Sequence, residues 1–235
     1  MFNTYLYIPL LNILIFLYNN FSFSSLGLAI ILLTLLIRIV LFPLFYKSAK
    51  SQMIMQKIQP LIQKIQHDHK EDKEKQAQAL MDLYKKYKVN PFSSILMLFV
   101  QIPVLIALYS LFRADFSNMS FSTLYSFVSA PSHINTLFLG LIDLRSSSII
   151  MVVLAAAAQY FQGILTLPKV EKGKEISAAE KMTRQMIYYT PLFTVLVLWK
   201  MPSAIGLYWL ITSLFSVGQQ IYINKKVKVN IEITD

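Results

Sequence analysis

Long apolar runs alternate with short charged stretches along this chain. Leu26 to Tyr46 is apolar apart from Arg38 and ends at Pro43 and the lysine Lys47. Similar runs cover Phe92 to Phe112, Ile149 to Leu167, and Ile187 to Ile223, the last broken at Lys200-Met201-Pro202. A helix of about 20 apolar residues crosses a hydrocarbon core of about 30 Å. The pattern therefore predicts an all-α membrane protein with five transmembrane helices, at 26–46, 91–112, 149–167, 187–200 and 201–223. The fourth is short: Ile187 to Trp199 is 13 residues, or about 20 Å at about 1.5 Å per residue. Either the bilayer is thinned there, or Tyr188, Tyr189 and Trp199 extend the anchoring at its ends. Tyr5 to Tyr18, 14 residues with Pro9 and Asn12 inside, is shorter than a span. We read residues 1–25 as an interfacial helix and outer loop, with an extra span as the alternative.

The polar stretches have their own periodicity. In residues 47–90, Ile54, Ile58, Leu61, Ile62 and Ile65 share one helical face, and Ala77, Leu80, Tyr84 and Tyr87 share another. The tip His67-Asp68-His69-Lys70 suits a turn, which predicts an antiparallel helical hairpin in the cytosol. Residues 113–148, rich in Phe, Leu and Ser, read as an outer loop lying partly in the interface. Residues 168–186 read as a cytosolic loop and 224–235 as a basic cytosolic tail.

Charge orients this array. The net charge is +10, and of 22 Lys and Arg, ten lie between Lys47 and Lys88, five between Lys169 and Arg184 and three between Lys225 and Lys228. Segments between these clusters are poor in basic residues, the positive-inside pattern. The amino terminus is then outside and the carboxyl terminus cytoplasmic. The basic excess points to anionic lipid or ribosome rather than to direct nucleic-acid recognition. No cysteine is present, which excludes disulfides and Cys-containing zinc sites. The amino end shows neither a basic secretory n-region nor a transit-peptide composition.

Candidate chemistry follows from what the spans contain. They carry no Asp or Glu, which weighs against proton- or sodium-coupled transport. No phosphate-binding glycine loop, catalytic triad or His-Glu metal motif occurs. His67 and His69 fall on different sides of a helix, and we read them as a solvated tip rather than a metal pair. Neither enzyme chemistry nor a cofactor or metal is expected. Arg38 remains. A guanidinium cannot be deprotonated in a protein, and placing it mid-span costs roughly 2.5–3.5 kcal/mol on insertion scales. It therefore faces a polar cavity, unless it only caps carbonyls or snorkels to an interface. Thr34, Gln101, Gln159, Gln162, Thr212, Ser213, Gln219 and Gln220 are the uncharged polar groups available to line a water-filled groove around it. Ser and Thr in spans also serve simply as helix-packing contacts.

Short motifs in a fixed order add a resemblance. They are Leu36-Ile37-Arg38, Leu41-Phe42-Pro43-Leu44, Gln59-Pro60, Leu83-Tyr84-Lys85, Val89-Asn90-Pro91, Gln101-Ile102-Pro103 and Ala107-Leu108-Tyr109. Asp143-Leu144, Phe161-Gln162, Pro191, Pro202-Ser203, Leu207-Tyr208-Trp209 and Gln219-Gln220 follow. From about Tyr5 to Ile223 the chain resembles the YidC-type membrane protein insertases, which include the mitochondrial Oxa and chloroplast Alb proteins. The resemblance implies five core helices around a hydrophilic groove open to the cytosol and to lipid and closed outside. It implies that Arg38 transiently receives polar or acidic segments of nascent membrane proteins, in a substrate-binding groove that we expect Thr34, Gln101, Gln162, Tyr208, Thr212 and Ser213 to line. Phe161 and Trp209 would line the exit into lipid, and the hairpin, with Gln59, Pro60 and Tyr84, would help receive the substrate. No nucleotide would be consumed. The ribosome and the Sec translocon are open as further partners.

Some positions depart from the family. Ser93-Ser94-Ile95-Leu96-Met97 stands where members often carry Gly-Gly-Cys-x-Pro after Asn-Pro. Ala204 replaces the glycine of a Pro-Ser-Gly turn, and Thr212-Ser213 replaces Ser-Asn. The large periplasmic domain of many Gram-negative relatives is not represented. The expectation is an insertase with chaperone-like activity toward membrane helices. A membrane channel or anion transporter, in which Arg38 selects anions, is the alternative.

Overall fold

The computed structural model describes residues 2–113, 121–167 and 178–226. Most of the expected cytosolic loop at 168–177 and of the basic tail at 227–235 lies outside the described residues, as does the start of the outer loop at 114–120. Among the described residues there are nine α-helices and one short β-hairpin. They divide into two compact units, residues 1–40 with 101–218, and residues 41–100 with 219–235.

The first unit begins with a π-helical turn, Asn3–Tyr7, leading into α1, Ile8–Asn20, which carries Pro9 in its first turn, where the missing N–H is harmless. Leu11, Leu14, Ile15 and Tyr18 repeat at three- and four-residue spacing and are all buried. The chain then reverses through Phe23 and Ser24, both at positive φ, into α2, Leu26–Val40. Here the expected first span, Leu26 to Tyr46, divides: α2 ends at Val40, and α3, Phe42–Lys57, starts afresh in the second unit. Pro43 explains the break, because its ring and missing N–H cannot continue the α2 ladder but fit the first turn of a new helix. Of α6, Ser93–Arg113, the part from Gln101 belongs to the first unit, with α7, Ile149–Thr166, α8, Ala178–Leu198, and α9, Ser203–Lys226, as far as Gly218. By length and composition α7 alone is long and apolar enough to cross a bilayer unaided among the described residues, and α2 with α3 passes as a broken pair.

The described part of the segment expected as an outer loop is a fitted piece rather than a slack connection. Strands β1, Leu137–Phe138, and β2, Ile142–Asp143, pair antiparallel around a turn with Leu139 and Gly140 at positive φ. Asn12 accepts from the Tyr125 N–H at 2.7 Å and donates to the Thr123 carbonyl, and the Tyr18 hydroxyl accepts from the Asn135 N–H. The Leu26 N–H donates to the Asn135 carbonyl at 3.2 Å, and the Ser203 N–H to the Ser146 carbonyl at 2.8 Å. These bonds satisfy N–H groups that helices α2 and α9 leave unpaired at their starts. Phe138 lies against Gly27, where a Cβ would meet its ring at 2.0 Å.

In the second unit the expected first hairpin arm comprises α3 and α4, Gln59–Asp68, parted at Ile58 with Pro60 in the first turn of α4. Helix α5, Lys73–Lys86, starts at Asp72, whose carboxylate accepts the Lys75 N–H at 3.0 Å. Ile58, Ile62 and Val89 form a small core with Ile54, Met55, Leu61, Leu80, Leu83, Tyr84 and Tyr87 around it. Leu83, rather than the exposed Ala77, completes the inner face of α5.

Candidate functional site

Arg38 occupies the last turn of α2 and is only 6% exposed. The end of α2 at Val40 brings the negative end of the helix dipole close to the guanidinium. That contributes about 0.3–1 kcal/mol at a surface and up to about 2 kcal/mol when partly buried, offsetting some of the desolvation. One turn earlier, Thr34 is also buried, and its hydroxyl donates to the Ile30 carbonyl at 2.6 Å. Its proton is thus committed to its own helix, and its oxygen can still accept.

Helix α9 supplies Tyr208, 3% exposed, which interacts electrostatically with Arg38. Its hydroxyl accepts from Nε2 of Gln101 on α6. Three helices far apart in sequence thus meet at one phenol. One turn along α9, the Tyr208 hydroxyl faces Thr212. Thr212 Oγ1 is fully shielded and completes no hydrogen bond of good geometry. Ser213 beside it is 2% exposed. Buried polar groups short of partners are costly in a low dielectric, so this node is suited to exchanging bonds with a polar group that enters it. It holds a fixed cation, a phenol, an amide and hydroxyls, which together offer donors and acceptors to a polar or anionic group.

Not every sequence-predicted residue joins the node. Gln162 lies half-buried on α7, where the polar contact goes instead from Thr194 on α8 to Oε1 of Gln159. Thr194, 1% exposed, is not among the groups expected from the sequence to line the groove. The available signal was a hydroxyl within the short fourth apolar run. Interhelical bonds of this kind contribute on average about 0.6 kcal/mol in a membrane. Phe161 is well exposed on α7, whereas Trp209 packs against the core. Gln59 and Pro60 form the first turn of α4, and Tyr84 packs on the Ile58–Ile62–Val89 core, all within the second unit. Among the described residues no group of three His, Cys, Asp or Glu could hold a metal.

Leu196, Phe193, Leu192 and Ile150 are more than half exposed, while a cation, an amide and hydroxyls converge inside. Large apolar side chains outward and polar groups inward define a helical protein built for a lipid solvent. Residues 16–230 match the family described as the 60Kd inner membrane protein, and the chain belongs to that family. A relative from Clostridium tetani named membrane protein insertase YidC is 36% identical over 209 residues, covering 88% of this chain and 83% of the relative. A protein of the same name from Fusobacterium nucleatum is 32% identical over 225 residues, 95% of this chain and 98% of that one. Against the Pelobacter propionicus protein of that name the identity is 33%, and the chain spans 35% of its length.

Proposed function

We propose that this chain is a membrane protein insertase of the bacterial inner membrane, which receives segments of nascent membrane proteins at the Arg38 node and releases them sideways into lipid without covalent chemistry. The single observation that carries this is the convergence of Arg38, Tyr208 and Gln101 from three helices inside a unit whose surface is apolar. A buried cation lowers the free energy of an acidic or polar segment that would otherwise meet hydrocarbon directly. Thr34, Thr212, Ser213 and Gln162 complete a hydrophilic groove in this reading, and Phe161 and Trp209 form the way out. Five spans place the amino terminus outside, residues 1–25 on the outer surface, and the hairpin 47–90 and the carboxyl terminus in the cytosol. The described part of the outer loop is then the outer closure of the groove. Nascent membrane proteins are the substrates, anionic lipids surround the basic cytosolic segments, and ribosome and Sec translocon are the further partners this role brings in.

The test is protease protection of a small single-span substrate in liposomes that contain the purified chain. Protection well above protein-free liposomes is expected. Background-level protection, where an established insertase succeeds, combined with anion flux through the same liposomes, would replace the insertase with a channel.

A further inference from the structure

Only three basic side chains fall outside the cytosolic clusters and the buried node: Arg113, Arg145 and Lys200. They come from the end of α6, the segment after β2 and the turn between α8 and α9. The first unit gathers all three around one cavity of about 330 Å³, with Tyr109 and Ser147 also in its wall. A second cavity of about 270 Å³, between Asn19, Asn20 and Ser129, has no charged wall, so the charge is particular to this hollow.

The cations are carried on well-anchored elements. Arg113 donates from Nη1 to the Tyr109 hydroxyl at 3.2 Å and lies 5.9 Å from that ring's centroid. The Arg145 N–H donates to Asp143 Oδ1 at 3.0 Å, and the Ser146 carbonyl accepts both the N–H and the hydroxyl of Ser203. That pins the Arg145 segment to the start of α9, beside Lys200 and Pro202. No carboxylate lines the cavity among the described residues. Even set against Asp143, whose carboxylate accepts the Arg145 N–H, and Asp115, the acid nearest Arg113 in sequence, three cations leave a surplus of one. Like charges held together repel unless an anion joins them. Two guanidinium forks and an ammonium match phosphate oxygens, the forks bidentately and the lysine as a point charge.

We infer that this cavity binds the phosphodiester headgroup of an anionic phospholipid in the outer leaflet. This rests on the orientation proposed above, which puts all three cations outside. Trp199, 56% exposed next to Lys200, and Tyr109 are amphipathic aromatics of the kind found at headgroup depth. The surplus positive charge favours an anionic headgroup over a zwitterionic one, whose ammonium it repels. A lipid held there fixes the depth of the outer ends of α6 and α9.

The chain has no cysteine, so Ser147→Cys in the full chain carries one environment-sensitive fluorophore in the cavity wall. Titration with phosphatidylglycerol in phosphatidylcholine bicelles should give a saturable change. Each of Arg113→Gln, Arg145→Gln and Lys200→Gln should weaken it about fivefold, and the triple variant by more than any single one. An unchanged titration in the triple variant overturns the site. Inorganic phosphate that saturates the signal equally well would identify a free-anion site instead. An acidic soluble peptide that saturates it where the lipid does not would identify a client contact. Labelling Ser147→Cys in right-side-out vesicles with an impermeant maleimide tests the orientation separately. Labelling from inside alone overturns the topology, whereas labelling from outside with no lipid response overturns only the lipid site.

Discussion

In the unit made of residues 1–40 and 101–218, Asn12, Thr34, Arg38 and Thr194 are 1–6% exposed, while Leu196, Phe193 and Phe161 are 62–71% exposed. In helices α4 and α5 of the other unit the order reverses: Ile58 and Ile62 are at most 5% exposed, and Lys64, Lys73 and Lys85 are at the surface. The same chain thus sorts its residues for two solvents. Where water is outside, burying apolar area drives packing at roughly 25 cal/mol per Å². Where lipid is outside, that drive is missing, and satisfied polar contacts and close fit hold the helices together. A buried arginine is therefore an anomaly in the second unit's terms, and in the first it sits among polar groups that converge inside an apolar exterior.

Changing Arg38 should give the largest effect. Arg38→Ala should lower insertion of substrates with acidic translocated segments by roughly tenfold or more, equivalent to about 1.4 kcal/mol or more of lost interaction. Arg38→Lys should be milder, because the groove proposed above, if wet, would read charge more than fork geometry. Protease protection checks both, and equal losses for acidic and neutral segments would remove the electrostatic role.

Ile62→Ala probes the water-facing unit. It should destabilise the α4–α5 pair by roughly 2–5 kcal/mol, toward the lower end because so small a core can collapse. Hydrogen exchange should rise in α4 and α5 and stay level in α1 and α2. A uniform rise across both units would contradict their separate packing.

Gly27→Ala probes fit in the lipid-facing unit. Its Cβ would meet the Phe138 ring at 2.0 Å, and overpacking of this kind costs about 1–3 kcal/mol. Thermal unfolding in detergent should show the loss, and Phe138→Ala added to it should restore part. A neutral Gly27→Ala would mean that β1 is not packed on α2 as described.

The smallest effect is at Asp72. The Lys75 N–H, and then the Lys75 ammonium at 3.0 Å, hold its carboxyl below the usual carboxylate range. With a folded pKa below the unfolded one, the cap's contribution is fully present above the unfolded pKa and is lost as pH falls through the folded value. Amide protection at the start of α5, corrected for intrinsic exchange, should fall on acidification below the usual carboxylate range. Asp72→Asn keeps a capping oxygen without a titrating group and should flatten that response. An identical acid response in the variant would assign it to another group.

Much of this was legible in one dimension. Apolar runs, the alternating basic clusters and the lone Arg38 follow from composition and spacing, because helix length against membrane thickness and the cost of a mid-span charge need no contacts to evaluate. The division at Leu41 was visible as Pro43, though a continuous apolar run conceals it. Thr194 was hidden for a different reason: a threonine in a span reads as a packing residue until a partner such as Gln159 is seen opposite.

The order of residues alone is enough to make the chain helical, suited to a lipid solvent, basic in alternate segments and in possession of one charge it must shelter. Tertiary structure alone decided that Gln101 and Tyr208, 107 positions apart, meet at that charge. It also decided that Phe138 fills the space over Gly27 and that Arg113, Arg145 and Lys200 share one cavity. Periodicity places a residue on a face of its own helix, but which faces meet depends on packing among all the helices at once, and no local pattern encodes that.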